Sequence, residues 1–175
     1  MFFGFTEEEI KRYSRQIVLR EVGGKGQRKL KNAKILIIGA GGLGAPASIY
    51  LAAAGVGNLG IIDFDKVDIS NLQRQVIHFT KNIGKPKTES AKEFIQNLNP
   101  NINVEIFQEM LTPKNVFDII KGYDAVLDGS DNFPTRFMIN DACVIGKKPI
   151  FHGSVFQFEG QATTIIPGET PCYRC

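Results

Sequence analysis

Residues 33–55, AKILIIGAGGLGAPASIYLAAAG, decide the fold. AKILIIGA is a short continuous apolar run, the pattern of a strand buried on both faces. GGLGAPASIYLAAAG reads as a helix rich in small residues. At the junction, GAGGLG sets Gly39, Gly41 and Gly44 at G-x-G-x-x-G spacing, with Gly42 inside it. One glycine allows the tight turn, one lets a phosphate approach the backbone, and one lets the helix pack close to the sheet. The helix N-terminus then offers free N–H groups to an anion. A second apolar run, GNLGIIDFD, follows, and its Asp63 lies 24 residues past Gly39, where a carboxylate can take ribose hydroxyls. The competing reading is a glycine turn chosen only for close packing. A strand before the loop, a helix after it and an acid beyond weigh against that.

The alternation extends in both directions. Upstream, TEEEIKRYSRQIVLREVG reads as one helix, with a Thr6–Glu9 capping box, an acidic first turn, and Gly23 as its stop. Ile10, Tyr13, Ile17 and Leu19 form its apolar side. Downstream come the helix KPKTESAKEFIQNLNP, the strand INVEIFQEM, the helix TPKNVFDIIKG and the strand YDAVLDGSD. Then follow the helix FPTRFMINDACVIG, the strand KPIFHGSV, and FEGQATTIIPG, β-rich and antiparallel. Such alternation implies right-handed crossovers and an α/β fold with a doubly wound, mainly parallel sheet. The expectation is a single domain over 1–175, with helices over about 6–31, a Rossmann-like part over about 33–155 and a β-rich end.

Bulk composition narrows the class. With 43% hydrophobic and 22% charged residues the chain matches a soluble globular protein. A net charge of +3 gives no argument for nucleic acid or an anionic membrane. No apolar run approaches the roughly 18 residues of a membrane span, and MFFGF followed by TEEE lacks the pattern of a signal peptide. Three cysteines, two of them close together, fit metal binding in a reducing cytoplasm better than a disulfide framework.

The glycine loop says nucleotide, not which one. A nicotinamide dehydrogenase is the default reading of the fingerprint. There is no Walker A sequence, because GKPKTES lacks the upstream glycine. Yet Asp65, Asn71, Arg74 and Gln75 cluster just beyond Asp63, and Lys87 opens the next helix. Attack on a triphosphate needs cations to balance charge on the reacting and departing phosphates. It also calls for a metal, and LDGSDN offers Asp131 at a later strand end. Taken singly, Arg74 and Lys87 read equally well as solvated charges, and Asp131 as a helix N-cap.

RYSRQI, GAGGLG, DFDKVDISNLQRQ, GKPKTESA, LDGSDNFPTR, FEGQ and PCYRC together resemble the MoeB/ThiF-type adenylyltransferases of the ubiquitin-activating enzyme superfamily, in motif order over about residues 8–175. The resemblance implies ATP over Gly39, Gly41, Gly42 and Gly44, with Asp63 on the ribose. It implies Asn71, Arg74 and Lys87 on the phosphates and Asp131 on magnesium. Asp65, Ser70, Leu72, Gln73, Gln75 and Asn132 join the nucleotide-binding set on the same basis. Arg15 would be a finger donated across a homodimer to the partner's ATP; its plain reading is an exposed charge on the first helix. The implied partner is a small ubiquitin-like sulfur carrier ending in Gly-Gly, MoaD- or ThiS-like. Its terminal carboxylate attacks the α-phosphate, for molybdopterin or thiamine synthesis, and related tRNA-modifying members also remain in view.

Cys172 and Cys175 then read as half of a structural zinc site, which in relatives is completed by a second C-x-x-C downstream. The sequence reads accordingly as the nucleotide-binding portion of a longer enzyme or a shortened relative. Cys143 reads as a core residue, and His78 and His152 as structural histidines. Two rival functions stay open: an NAD-dependent oxidoreductase on the same loop, and a non-catalytic nucleotide-binding subunit.

Overall fold

In the computed structural model, which describes residues 4–175, the apolar run at Lys34–Ile38 is the hub strand β1. It pairs in parallel with β2 (Asn58–Ile62) on one side and with β4 (Ala125–Asp128) on the other. Beyond β2 lies β3 (Asn103–Phe107), and beyond β4 lie β5 (Ile150–Phe156) and β6 (Glu159–Ile165). The order β3-β2-β1-β4-β5-β6 is parallel except for the last strand, which returns antiparallel against β5. The expected doubly wound sheet is therefore the observed one, including its antiparallel end.

Residues of β1 alternate between two cores. Ile37 faces a layer that includes Ala45 and Ala52 of α4 (Gly44–Ala54) with Ala91 and Ile95 of α5 (Lys87–Leu98). Leu36 and Ile38 face the opposite layer, with Val116, Ile119 and Ile120 of α6 (Val116–Ile120) and Ile139, Ala142 and Cys143 of α7 (Phe133–Ile145). Each such fully buried aliphatic side chain contributes about 1.5–3 kcal/mol relative to exposure. Burial on both faces is why β1 and β2 read as unbroken apolar runs. The alanines of α4 let that helix lie close to the sheet.

The N-terminal segment corrects one expectation. Instead of a single helix ending at Gly23, the chain forms α1 (Glu7–Arg12), α2 (Ser14–Ile17) and then α3 (Gly23–Asn32). The Thr6–Glu9 capping box is present at α1. The break falls at Tyr13, which is buried and whose hydroxyl accepts from Asn99 Nδ2 at 2.8 Å. A Cβ at Gly55 would meet that ring at 2.6 Å, so the tyrosine fills a slot that only glycine leaves open. Tertiary packing of one aromatic side chain overrides the local helix pattern. Gly23 opens α3 rather than closing a helix, and Leu19 is exposed.

Candidate nucleotide site

The sheet reverses its order of growth between β1 and β4, so the loops after these two strands flank a crevice at the carboxyl edge. Doubly wound sheets bind ligands at such a point. Here the crevice is a cavity of about 860 Å³.

Sterics fix its first wall. Gly39 has φ +89°, a left-handed conformation that a side chain disfavours. A Cβ at Gly44 would run into the Gly39 carbonyl, so only glycine permits α4 to begin there. Polar clamps then hold the loop residue Ala40 on both sides. Its N–H donates to Asp63 Oδ2 at 2.8 Å, and its carbonyl lies 3.2 Å from His78 Nε2. A carbonyl can only accept, so Nε2 carries the proton and Nδ1 accepts from the Ser90 hydroxyl at 2.9 Å. Burial pushes the His78 imidazole below its ordinary pKa, and the Lys87 charge acts the same way against the opposing Ala40 carbonyl and Asp63 carboxylate. Asp63 also accepts from Asp65 N at 2.8 Å through Oδ1, and each of its oxygens keeps a further lone pair beside the cavity.

Two cations stand over this wall. Lys87, only 5% exposed, opens α5 and pairs with Asp65 Oδ2 at 2.8 Å. Arg74 is exposed, and its Nη1 donates to the Ser70 carbonyl at 3.1 Å. A Cβ at Gly42 would meet Arg74 Cδ at 3.5 Å, and one at Gly41 would meet Gln75 Nε2 at 3.7 Å. The bare glycines thus form the floor of a cradle roofed by Arg74 and Gln75. Asn71 lines the cavity beside them. Ser70, Leu72 and Gln73 lie outside the wall, in the turn that carries Arg74, where Gln73 Nε2 donates to the Ser70 carbonyl at 3.2 Å.

The opposite wall is the loop after β4. Asp131 and Asn132 both line the cavity. Asn132, not Asp131, caps α7, its Oδ1 accepting from Thr135 N at 3.0 Å. Asp131 is therefore free of capping duty, its Oδ1 accepting from Asn132 Nδ2 at 3.2 Å. Arg15, on α2, does not reach this cavity.

Cys172 and Cys175 stand apart from the cavity, with their sulfurs 2.9 Å apart. Their turn is tied to α7: Tyr173 N donates to Asn140 Oδ1 at 2.8 Å, and Arg174 pairs with Asp141 at 2.7 Å. A hydrogen bond from Cys175 holds the Cys172 thiol below its ordinary pKa. Among the described residues, no group of three His, Cys, Asp or Glu side chains converges as a metal cluster. Cys143 is buried in the core, where desolvation pushes its thiol up to about 12.

Residues 13–175 match the model of the ThiF family. The chain belongs to the ThiF family. This ThiF-family chain is 50% identical over 175 residues to the SAMP-activating enzyme E1 of Haloferax volcanii, covering all of the chain and 64% of that protein. It is 47% identical over 176 residues to a sulfur carrier protein adenylyltransferase of Thermus thermophilus, covering 98% of the chain and 65% of that protein. Among solved structures, E. coli MccB with succinimide superposes with a TM-score of 0.86 at 30% identity, over 98% of the chain and 52% of MccB. The chain thus spans just under two thirds of these two curated relatives.

Several residues of the ThiF-family site gave no signal in the sequence. His78 and Ser90 clamp the glycine loop across sequence separations of 38 and 12 residues, which no local pattern reveals. Arg136 falls inside the motif LDGSDNFPTR, where no spacing singles it out. It lines the cavity and donates to the Ser130 carbonyl through Nε and Nη2 at 3.3 and 3.2 Å.

Proposed function

We propose that this chain binds ATP with magnesium at the β1/β4 crevice and adenylates the C-terminal carboxylate of a small ubiquitin-like sulfur carrier ending in Gly-Gly. The observation that carries the reading is the pairing of Arg74 and Lys87 on one wall with Asp131, free of capping duty, on the other, across a cradle of bare glycines. The name of the Thermus thermophilus relative points the same way.

In this reading Gly39, Gly41, Gly42 and Gly44 present backbone and the N-terminus of α4 to the phosphates. Asp63 takes the ribose, while Asn71, Arg74 and Lys87 hold the phosphate chain. A carboxylate oxygen of the carrier forms a bond to the α-phosphorus, and the bond to the bridging oxygen breaks, releasing pyrophosphate with its electron pair. No proton moves, so no general base is needed; positioning and electrostatics supply the catalysis.

The donor set suits magnesium. The cavity wall sets Lys66, Arg74, Lys87 and Arg136 against Asp63, Asp65, Asp68, Glu109 and Asp131, so it does not neutralise a triphosphate by itself. Magnesium is commonly held by one or two carboxylates plus substrate phosphates, and Asp131 offers such a carboxylate. When bound, it would draw charge from the phosphate oxygens.

Arg15 fits a role in trans. Its neighbour Gln16 donates to the Ala54 carbonyl at 3.1 Å, at the far end of α4 from the glycine loop. An 11-residue helix is about 16 Å long, which separates Arg15 from its own subunit's crevice. A homodimer would bring it to the partner's ATP. Cys172 and Cys175 supply two of the four ligands of a structural zinc site, and the other two would come from outside these 175 residues. The same reading takes residues 1–175 as one nucleotide-binding unit, working in the reducing cytoplasm, with the molybdopterin and thiamine pathways as its two settings.

Calorimetric titration tests the core of the proposal. ATP with magnesium should bind, and NAD should bind at least tenfold more weakly. Tighter binding of NAD would overturn adenylation in favour of an oxidoreductase.

A further inference from the structure

Asp128 and His152 form a buried pair that does not line the cavity. They sit opposite each other in the β4–β5 ladder and are 2% and 4% exposed. His152 Nδ1 lies 2.8 Å from Asp128 Oδ2. A carboxylate only accepts, so Nδ1 carries the proton, and the buried Nε2 has no hydrogen-bond partner among the described residues. The other carboxylate oxygen accepts from Ser130 N at 2.9 Å. Ser130 is thereby held at both of its backbone polar groups, since its carbonyl accepts from Arg136. Gly129 N adds a bond to the Ile38 carbonyl at 3.0 Å. Asp131 is the next residue, and it faces the crevice. The imidazole itself is seated against Tyr173, with ring centroids 4.6 Å apart.

Such a pair is a poor way merely to fill a core. Burying an ionisable pair costs desolvation that two apolar side chains of similar volume avoid. Among the described residues, the one side-chain hydrogen bond that leaves the pair goes to Ser130, in the loop that precedes α7.

We propose that His152 and Asp128 are positioning residues: His152 orients the Asp128 carboxylate, Asp128 fixes the Ser130 amide, and the loop so held presents Asp131 to the magnesium–nucleotide complex. The proposal rests on the adenylation reading only for what Asp131 meets; the geometry of the loop stands without it. His152 touches no reacting atom. Its contribution is to the magnesium-dependent part of ATP binding, because the glycine wall is held separately by Asp63 and His78.

Three substitutions at His152 separate positioning from packing. His152→Asn keeps a donor near the Nδ1 position, His152→Gln moves it toward Nε2, and His152→Leu removes it. With ATP and magnesium as the probe, Leu and Gln should bind about tenfold more weakly than the native chain, with Asn within threefold of it. In the presence of a magnesium chelator, ATP affinity should change less than twofold in all three. Amide exchange of Ser130 in the nucleotide-free chain should quicken at least tenfold in Leu and Gln and stay near native in Asn. Should Leu fail to fold, the Asn–Gln pair decides alone. Equal behaviour of Asn and Gln, or equal losses with and without magnesium, would overturn the proposal. Ser130 exchange needs no nucleotide, so a chain that never binds ATP would sink the adenylation reading while this test still returns its answer.

Discussion

The two loops that face each other across the crevice both carry polar clamps, but they differ in what sets the path of the backbone. After β1, the loop is shaped by the lack of side chains: Gly39 takes φ +89°, and a Cβ at Gly44 has nowhere to go. After β4, the loop is shaped by side chains, with Asp128 and Arg136 gripping Ser130 from either side. The steric part of the first loop is present whenever the backbone folds, and the Asp63 and His78 bonds to Ala40 add to it. A polar loop depends on donors and acceptors on its flanking strand and helix, backed by His152 from the neighbouring strand, and it can be altered without unfolding the sheet. The first design suits a fixed floor for phosphate, and the second suits a carboxylate whose placement needs tuning.

Substitution of one glycine in each loop gives the largest expected contrast. Gly44→Ala forces backbone against backbone, and overpacking of this kind costs about 3 kcal/mol or more. For a chain of this length that is roughly 6–12 °C in melting temperature. Gly129→Ala should cost much less. Its Cβ would meet Gly44 N at 3.2 Å and the Ile38 carbonyl at 3.3 Å, contacts relieved by shifts of a few tenths of an ångström. Thermal melting of both variants checks the order, and a larger drop for Gly129→Ala would break the comparison.

Charge removal comes next. Lys87→Ala takes a charge-assisted contact from the proposed phosphate site and should weaken binding of ATP with magnesium by roughly ten- to a hundredfold. Its effect on stability should be small, because Asp65 keeps about half its side chain in solvent. Asp131→Ala should lower the magnesium dependence without moving the melting temperature, since its side chain is exposed. Calorimetry with and without a chelator separates the two walls. Identical profiles for both variants would mean that they do not divide the work as described.

The asymmetry also explains what could be read from the sequence. The glycine spacing, the acid at Asp63 and the strand–helix alternation follow from local sterics and periodicity, which single residues carry with them. The expected doubly wound sheet and the core status of Cys143 rest on such signals, whereas most of the expected site set rests on the family resemblance. The break at Tyr13 was hidden because its cause, the slot beside Gly55 and Asn99, lies 42 and 86 residues away. Both histidine clamps were hidden for the same reason. A buried imidazole looks the same in the sequence whether it fills space or holds a loop.

The smallest expected effect is a pH dependence that belongs to the glycine wall. The folded pKa of His78 lies below its free value of 6.5, so the unfolded chain binds the proton first. Its contribution to stability is fully present above about pH 6.5 and is lost as pH falls through the folded value. Melting temperature should therefore decline below pH 6.5, before the carboxylates titrate. His78→Asn should flatten that decline. An unchanged slope in the variant would assign the decline to other groups.

Cys143 makes the second core chemically visible. Its thiol lies in the layer between α7 and the sheet, protonated and screened from solvent, while Cys175 is exposed and Cys172 half-buried against the edge of that layer. A thiol reagent therefore meets two sulfurs on the intact chain, and the third only when α7 lifts away from β4. The rate at which that third sulfur reacts is a clock for the opening of this half of the molecule, and it needs no introduced label.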